Sequence, residues 1–271
     1  MTIAINTLED HSCNKQIDAL LDNAYNQNKI IETKDLDIHH CHGCNVCWLK
    51  TPGQCVVKDD NKQIIKQEIN PQKTSRANAF DLWMSSPMPM VTLVKTLDVS
   101  HILKCSKKHH LSFNMLLCWC IGKAASRIEE FFTLPEQGKL FRYDCLAVNV
   151  IVPNRDGGIN SCDILYSDDL QKFYSDYQNL TRQTAEKCKS FFLEDAMIVG
   201  TSAMIETELD CIVNQYTDKF CNPMVMWGKY RKGWLRTTLP ISFQFHHVQM
   251  DGRHAARFLE LLQIEINNTI I

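Results

Sequence analysis

Two stretches of this chain carry residues whose types and spacing could do chemistry. The first, "FHHVQMDGRH", runs from Phe245 to His254 and sets His246 and His247 four to five residues ahead of Asp251. A histidine fixed at the end of a strand can serve as a general base, because imidazole titrates near neutral pH. Asp251, followed by Gly252 and an apolar-periodic run, lies where a helix begins, and a carboxylate is favourable there. Taken alone, a His-His pair reads first as two histidines satisfied by backbone groups, with Asp251 a simple helix cap. The second stretch, "CHGCNVCWLKTPGQC", spaces Cys41, Cys44, Cys47 and Cys55 as C-x2-C-x2-C-x7-C. Four thiolates so spaced can wrap an iron–sulfur cluster or a zinc ion, with Gly43, Pro52 and Gly53 supplying the tight turns and His39, His40 and His42 offering nitrogen ligands. The competing reading is a set of reduced cysteines that pack a docking module.

The elements that must position these residues follow from periodicity. Residues 1–40 read as a strand ("TIAIN"), an amphipathic helix with Ile17, Leu20, Leu21 and Ala24 on one face, and a second strand ("KIIETKDL"), the opening of an α/β unit. The polar, proline-containing segment "NPQKTSRAN" places a boundary near Gln72, giving a small module over 1–72 and a larger domain over 73–271. In the larger part, "SFNMLLCWCIGKAASRIEEF" reads as one long buried helix and "RYDCLAVNVIV" as one strand. "DDLQKFYSDYQNLTRQTAEKCKSFF" reads as a helix with an exposed face, "TTLPISFQFHHVQ" as a strand and "GRHAARFLELLQIEINN" as a closing helix. Strands and helices interleave without regular βαβ spacing, so an α+β fold is expected.

Composition narrows the function classes. A net charge of −2 and the lack of a basic stripe argue against a nucleic-acid partner. No run of 18 apolar residues suggests a membrane span, and no signal peptide is recognisable, so a cytoplasmic protein with reduced thiols is expected. Most of the 13 cysteines, such as Cys118, Cys120 and Cys145 in apolar runs, read as small buried hydrophobes.

The surroundings of the histidine pair change its reading. The pattern H-H-x-x-x-D-G-x-H after an alternating strand resembles the chloramphenicol acetyltransferase family. So do "RANAFDLW", similar to the family's opening Arg-x-x-x-Phe-x-x-aromatic segment, "TSAM", similar to its active-site serine segment, and "DKFCNPMVMWGKY", similar to its block ending in Gly-Lys-Tyr. In order, these cover about residues 75–271. The resemblance implies an α+β two-layer sandwich of the coenzyme A-dependent acyltransferase kind, acting as a homotrimer with active sites between subunits. It implies that acetyl-coenzyme A is the acyl donor and a hydroxyl on a small molecule, chloramphenicol being one, the acceptor. His247 would be the general base, Ser202 the donor to the tetrahedral oxyanion, and Asp251 with Arg76 a buried ion pair shaping the loop. Lys229 and Tyr230 would lie near the coenzyme A nucleotide.

His246 is expected to be structural, His254 to pack, and Glu206 and Glu208 to be solvated. The chain departs from the family where Met226 replaces a threonine, where "MIETEL" replaces a Pro-Trp segment, and where Met250 and Arg253 enter the loop. These changes leave the acceptor open. The catalytic cores of dihydrolipoamide acyltransferases carry a similar His-x-x-x-Asp-Gly loop, but "FHH" and "GKY" favour the antibiotic-acetylating branch.

The amino-terminal run resembles flavodoxin-like NADPH-dependent FMN reductases and iron–sulfur flavoproteins. The phosphate-cradling loop of that family is here "NTLEDHSCNKQ", which lacks glycine and carries Glu9 and Asp10. FMN is therefore not expected, and the module is read as truncated. Two other functions stay open at this point: a redox or metal sensor using the cysteine loop, and a non-catalytic protein that binds a small ligand.

Overall fold

The computed structural model describes the backbone of residues 2–6 and 28–32, and residues 66–217 and 220–270. The chain divides into two compact units, Met1–Ile64 and Ile65–Ile271. In the first, strands β1 (Thr2–Asn6) and β2 (Asn28–Glu32) pair in parallel, Thr2 opposite Asn28. The cysteine loop with Cys41, Cys44, Cys47 and Cys55 lies outside the described residues, as does the amphipathic helix expected between these strands.

The second unit begins with β3 (Lys66–Ile69), which pairs with β6 (Lys139–Tyr143), itself paired with β5 (Thr133–Glu136), in a small antiparallel sheet. The main sheet has seven strands. Its order is β11 (Arg231–Lys232), β12 (Thr237–His246), β10 (Met224–Gly228), β9 (Met197–Met204), β7 (Leu146–Pro153), β8 (Ile159–Leu165). β4 (Met90–Asp98) runs antiparallel to β12 over nine residue pairs, from Thr238↔Asp98 to His246↔Met90. The stretch read as one strand, "RYDCLAVNVIV", is two: Tyr143 ends β6 opposite Lys66, and Leu146 starts β7 opposite Met197, so Asp144 and Cys145 carry the chain from one sheet to the other.

Helices cover one face. Among the described residues they are α2 (Ser100–Lys108), α3 (Phe113–Ala125), α4 (Leu170–Lys187) and α5 (Gly252–Asn268), while the short α1 (Ala77–Trp83) lies beside the turn that follows β12. The helix α3 is buried over Met115–Gly122, which explains its continuous apolar run; Ser112 caps it by accepting from the Met115 N–H at 3.4 Å. It stops at Ala125, short of the expected span, and Glu129–Phe132 instead forms a 3-10 turn with Phe131 driven into the core against Phe243 and Phe258. Along β12 the alternation is strict. Leu239, Ile241, Phe243 and Phe245 are wholly buried on the helix side, while Ser242, Gln244 and His246 face the other way. That second face is also buried there, because residues 212–216 cross it: the Ile212 N–H donates to Ser242 Oγ at 2.8 Å, and Gln244 Nε2 donates to the Asn214 carbonyl at 3.0 Å.

Cys118 and Cys120 are inside α3's packing, and burial pushes both thiols up to about 12, so they are inert at neutral pH. No helix among the described residues is long and apolar enough to cross a membrane, and no cluster of three or more His, Cys, Asp or Glu there is arranged to hold a metal.

Candidate active site

The histidines sit where β12 ends. His246 is the last strand residue and is 1% exposed; its Nδ1 accepts from the Val248 N–H at 3.1 Å. Burial, then the neighbouring His247, pulls its pKa down to about 4, so it is a neutral acceptor that caps the turn. His247 begins the turn and is half-buried. Its backbone N–H donates to the Pro89 carbonyl at 2.8 Å. Its ring lies flat against Trp83, centroids 4.7 Å apart and planes 6° from parallel. His247 Nδ1 is buried without a hydrogen-bond partner, which leaves Nε2 as the nitrogen that can meet an incoming group. An imidazolium formed over the indole face would be attracted by it.

Arg76, the residue capping α1, holds the turn from below. Its Nη2 donates to the His247 carbonyl at 2.5 Å, its Nε to the Val248 carbonyl at 2.9 Å, and its Nη1 reaches Asp251 Oδ2 at 3.4 Å. The ion pair differs from the buried one expected: the Asp251 side chain is 37% exposed and its contact to Arg76 is the longest of the three. The planar guanidinium works mainly as a fork on two main-chain carbonyls, a task its rigid geometry suits. Asp251 caps α5, its Oδ1 accepting from the Arg253 and His254 N–H groups at 3.0 and 3.4 Å. Burial raises its pKa, but the His254 N–H, His254 itself, the Arg253 N–H and Arg76 outweigh that and hold the carboxyl below the usual range.

Ser202 lies away from the turn, level with the middle of β12. It is half-buried on β9, in register with Met226 on β10, which pairs with Ser242 on β12. All three point away from the helices. Gly200, two residues earlier on the same face, packs against the Met224 thioether, which would have to shift to admit a Cβ there. Beyond Ser202, a cleft of about 310 Å³ is lined by Ser112, Phe113, Asn114, Ile205, Trp227, Gly228, Lys229 and Tyr230. Tyr230 meets Phe113 edge to face at 5.5 Å, and Lys229 is exposed.

The registers set the distance between the two halves. From the Ser242 row to His246 is four residues of β12, roughly 14 Å, and two strands across add about 10 Å, far beyond hydrogen-bond reach of one reacting group. One chain therefore groups His247 with Arg76, Asp251 and Trp83 and leaves Ser202 outside that group; Ser202 does not line the Lys229–Tyr230 cleft either, which opens beside the start of α3. Glu206 and Glu208 are exposed, Glu208 pairing with Arg231 at 3.5 Å, and Arg253 is exposed. Sequence reasoning assigned no role to Trp83, although it is the aromatic of the quoted Arg-x-x-x-Phe-x-x-aromatic segment. That was the available signal.

A rigidly held imidazole at a strand terminus, with a serine on the same sheet and a separate cleft, is the equipment of a group-transfer enzyme. The family model described as chloramphenicol acetyltransferase matches residues 66–263. The chain belongs to the chloramphenicol acetyltransferase family, and it is an acyltransferase. It is 21% identical over 201 residues to chloramphenicol acetyltransferase 2 of Escherichia coli, covering 72% of this chain and 94% of that one. It is 23% identical over 185 residues to chloramphenicol acetyltransferase 3 of Escherichia coli, covering 66% and 86%. Among solved structures it is similar to a chloramphenicol acetyltransferase (TM-score 0.65, 18% identity, 74% of this chain and 99% of that one). It is also similar to the cubic core of the pyruvate dehydrogenase multienzyme complex (TM-score 0.53, 17% identity, 74% and 91%). At such identities the structural likenesses establish the shared fold. The family match starts at residue 66 and so lends nothing to the flavodoxin likeness of the preceding residues.

Proposed function

We propose that this enzyme transfers the acetyl group of acetyl-coenzyme A to a hydroxyl of a small molecule, with His247 as general base and Ser202 as oxyanion donor. His247 Nε2 takes the acceptor's hydroxyl proton as the oxygen attacks the thioester carbonyl. The tetrahedral oxyanion accepts a hydrogen bond from Ser202 Oγ. Collapse expels the coenzyme A thiolate, which takes the proton back from the imidazolium. Arg76 and Asp251 shape the turn, and Lys229 and Tyr230 receive the coenzyme A nucleotide in their cleft, the lysine facing its phosphates.

The observation that carries this reading is the fixed imidazole: ring stacked on Trp83, backbone tied to Pro89, and its own carbonyl gripped by Arg76. Such fixation is what a base needs to meet an acceptor at a single geometry. The separation of His247 from Ser202 supports a site completed by a second copy of the chain, in the homotrimer that the family resemblance implies. Chloramphenicol is the first acceptor to test. Met226, a thioether beside Ser202 and 2% exposed, favours trying other hydroxylated compounds with an apolar body alongside it.

The amino-terminal residues are read as a truncated flavodoxin-like module, and the parallel pairing of β1 with β2 supports an α/β opening. The deciding experiment is thiol release from acetyl-coenzyme A in the presence of chloramphenicol and a panel of small alcohols, with mass spectrometry of the products. Acetylated product that disappears in His247→Ala supports the reading. Product formation at an undiminished rate in His247→Ala, or no product with any acceptor, overturns it.

A further inference from the structure

Arg76 is one side of the support under His247; the turn is also gripped from another. Gln249, wholly buried, donates from Nε2 to the Thr133 carbonyl at 2.8 Å. Three residues past the helix cap, His254 places Nε2 3.1 Å from Glu130 Oε1, while its Nδ1 lies 3.4 Å from the Asp251 N–H and 3.2 Å from Asp251 Oδ1. The Asp251 N–H needs an acceptor, so Nδ1 accepts and the Nε2 proton points at Glu130. The two tethers leave the turn from different positions and land within four residues of one another, on Glu130–Thr133.

That landing site is itself fixed. Phe131, between the two contact points, is wholly buried and packs on Phe243 and Phe258 at 5.8 and 4.9 Å. Thr133 Oγ1 donates to the Glu130 carbonyl at 3.2 Å, and Thr133 opens β5, paired to β6. Glu129 pairs with Arg142 at 3.5 Å. Gln249 also carries a feature that stability alone does not favour: its Oε1 is buried with no partner. An orphaned buried amide oxygen is destabilising, and an apolar side chain of similar length would avoid it.

We propose that Glu130–Thr133 is a second brace of the catalytic turn, and that Gln249 and His254 are positioning residues that fix the His247 ring through it. The proposal rests on the reading of His247 as the base. Arg76 restrains the turn's carbonyls, whereas this brace restrains its exit into α5, so that the turn cannot tilt about the Arg76 fork.

The test uses the full chain with Gln249→Met, which keeps the volume and removes both the donor and the orphaned oxygen. A second variant, His254→Ala combined with Glu130→Ala, removes the other tether. Four quantities are read: kcat and KM for acetyl-coenzyme A, the melting temperature, and the ring resonance of His247 in histidine-labelled protein, assigned by its loss in His247→Ala. The expected result for Gln249→Met is a kcat lower by about 10–100-fold, the range a misplacement of about 1 Å can produce. KM should stay within about twofold, because the Lys229–Tyr230 cleft is untouched, and the melting temperature should not fall. The His247 resonance should shift or broaden. A residue that merely stabilises the fold would lower the melting temperature and leave kcat alone. Unchanged kcat and an unchanged His247 resonance in both variants overturn the brace. If the wild-type chain acetylates nothing, the proposed function fails instead, and the His247 resonance in Gln249→Met alone decides whether the brace exists.

Discussion

The turn that carries His247 and the strand position of Ser202 are built differently. At His247, nearly every main-chain group of the turn has a partner within the chain: Pro89, His246, His254 and the Arg76 fork take them one by one. At Ser202, the serine is held by the ladder of β9 with its neighbours and is half-buried, beside the covered Met226 and Ser242 and near Met204, which is 42% exposed. The first half is complete as it stands. The second leaves Ser202 half-buried, with its reacting partner to come from another copy under the proposed trimer. A general base must be fixed before the acceptor arrives, while an oxyanion donor needs only a rigid strand beneath it and a reacting carbonyl placed within reach.

That contrast can be broken most directly at its two named residues. His247→Ala should lower kcat/KM by about 100–10,000-fold, and Ser202→Ala by about 100–1000-fold, each in a folded protein, as checked by steady-state kinetics beside circular dichroism. Co-refolding the two inactive variants sharpens the comparison. If each site takes its histidine from one copy and its serine from the next, about a quarter of the sites in randomly mixed trimers carry both. No recovery of activity would place both residues in one chain's site and undo the contrast.

Arg76 tests how the completed half is held. Arg76→Ala should reduce kcat at least about tenfold, and Arg76→Lys should not rescue it, because a lysine keeps the charge but cannot span two carbonyls. Full rescue by lysine would mean that the Asp251 ion pair, not the fork, does the holding. In the Lys229–Tyr230 cleft, Tyr230→Ala should raise KM for acetyl-coenzyme A by about tenfold with kcat little changed, the signature of lost uniform binding. The smallest effect is on stability. His246 is neutral in the fold with its pKa lowered from 6.5 to about 4. The unfolded chain therefore takes up a proton there first. Its contribution is whole above pH 6.5 and is lost as pH falls toward 4, by up to about 3 kcal/mol. Denaturant unfolding at pH 7 and pH 4.5 should show a smaller loss for His246→Gln than for the wild type.

Part of this was legible in the residues and part was not. The His247 loop, its Asp251 cap and the Arg76 segment could be found because each is a short local pattern whose function depends on its own spacing. "RYDCLAVNVIV" misled because its alternation is continuous across Asp144 and Cys145, although the strand partners of its two halves lie in different sheets. The expected burial of the Arg76–Asp251 pair could not be read either, since exposure depends on what covers Asp251. Trp83 is marked by its segment but its partner His247 is 164 residues away, and Gln249 carries no local signal for Thr133, 116 residues away in the chain.

The amino-acid sequence by itself determined the chemistry available: an imidazole at a strand end, a carboxylate at a helix start, a serine on a later strand and a lysine–tyrosine pair after Gly228. Those are properties of residue type and short spacing, which periodicity and capping rules translate directly. Only the tertiary structure decided which of these groups meet. The register of β9, β10 and β12 is set by long-range pairing and by burial of Phe243 and Phe245 against the helices, and it is that register that sets Ser202 two strands across and four residues back from the strand end where His247 begins the turn.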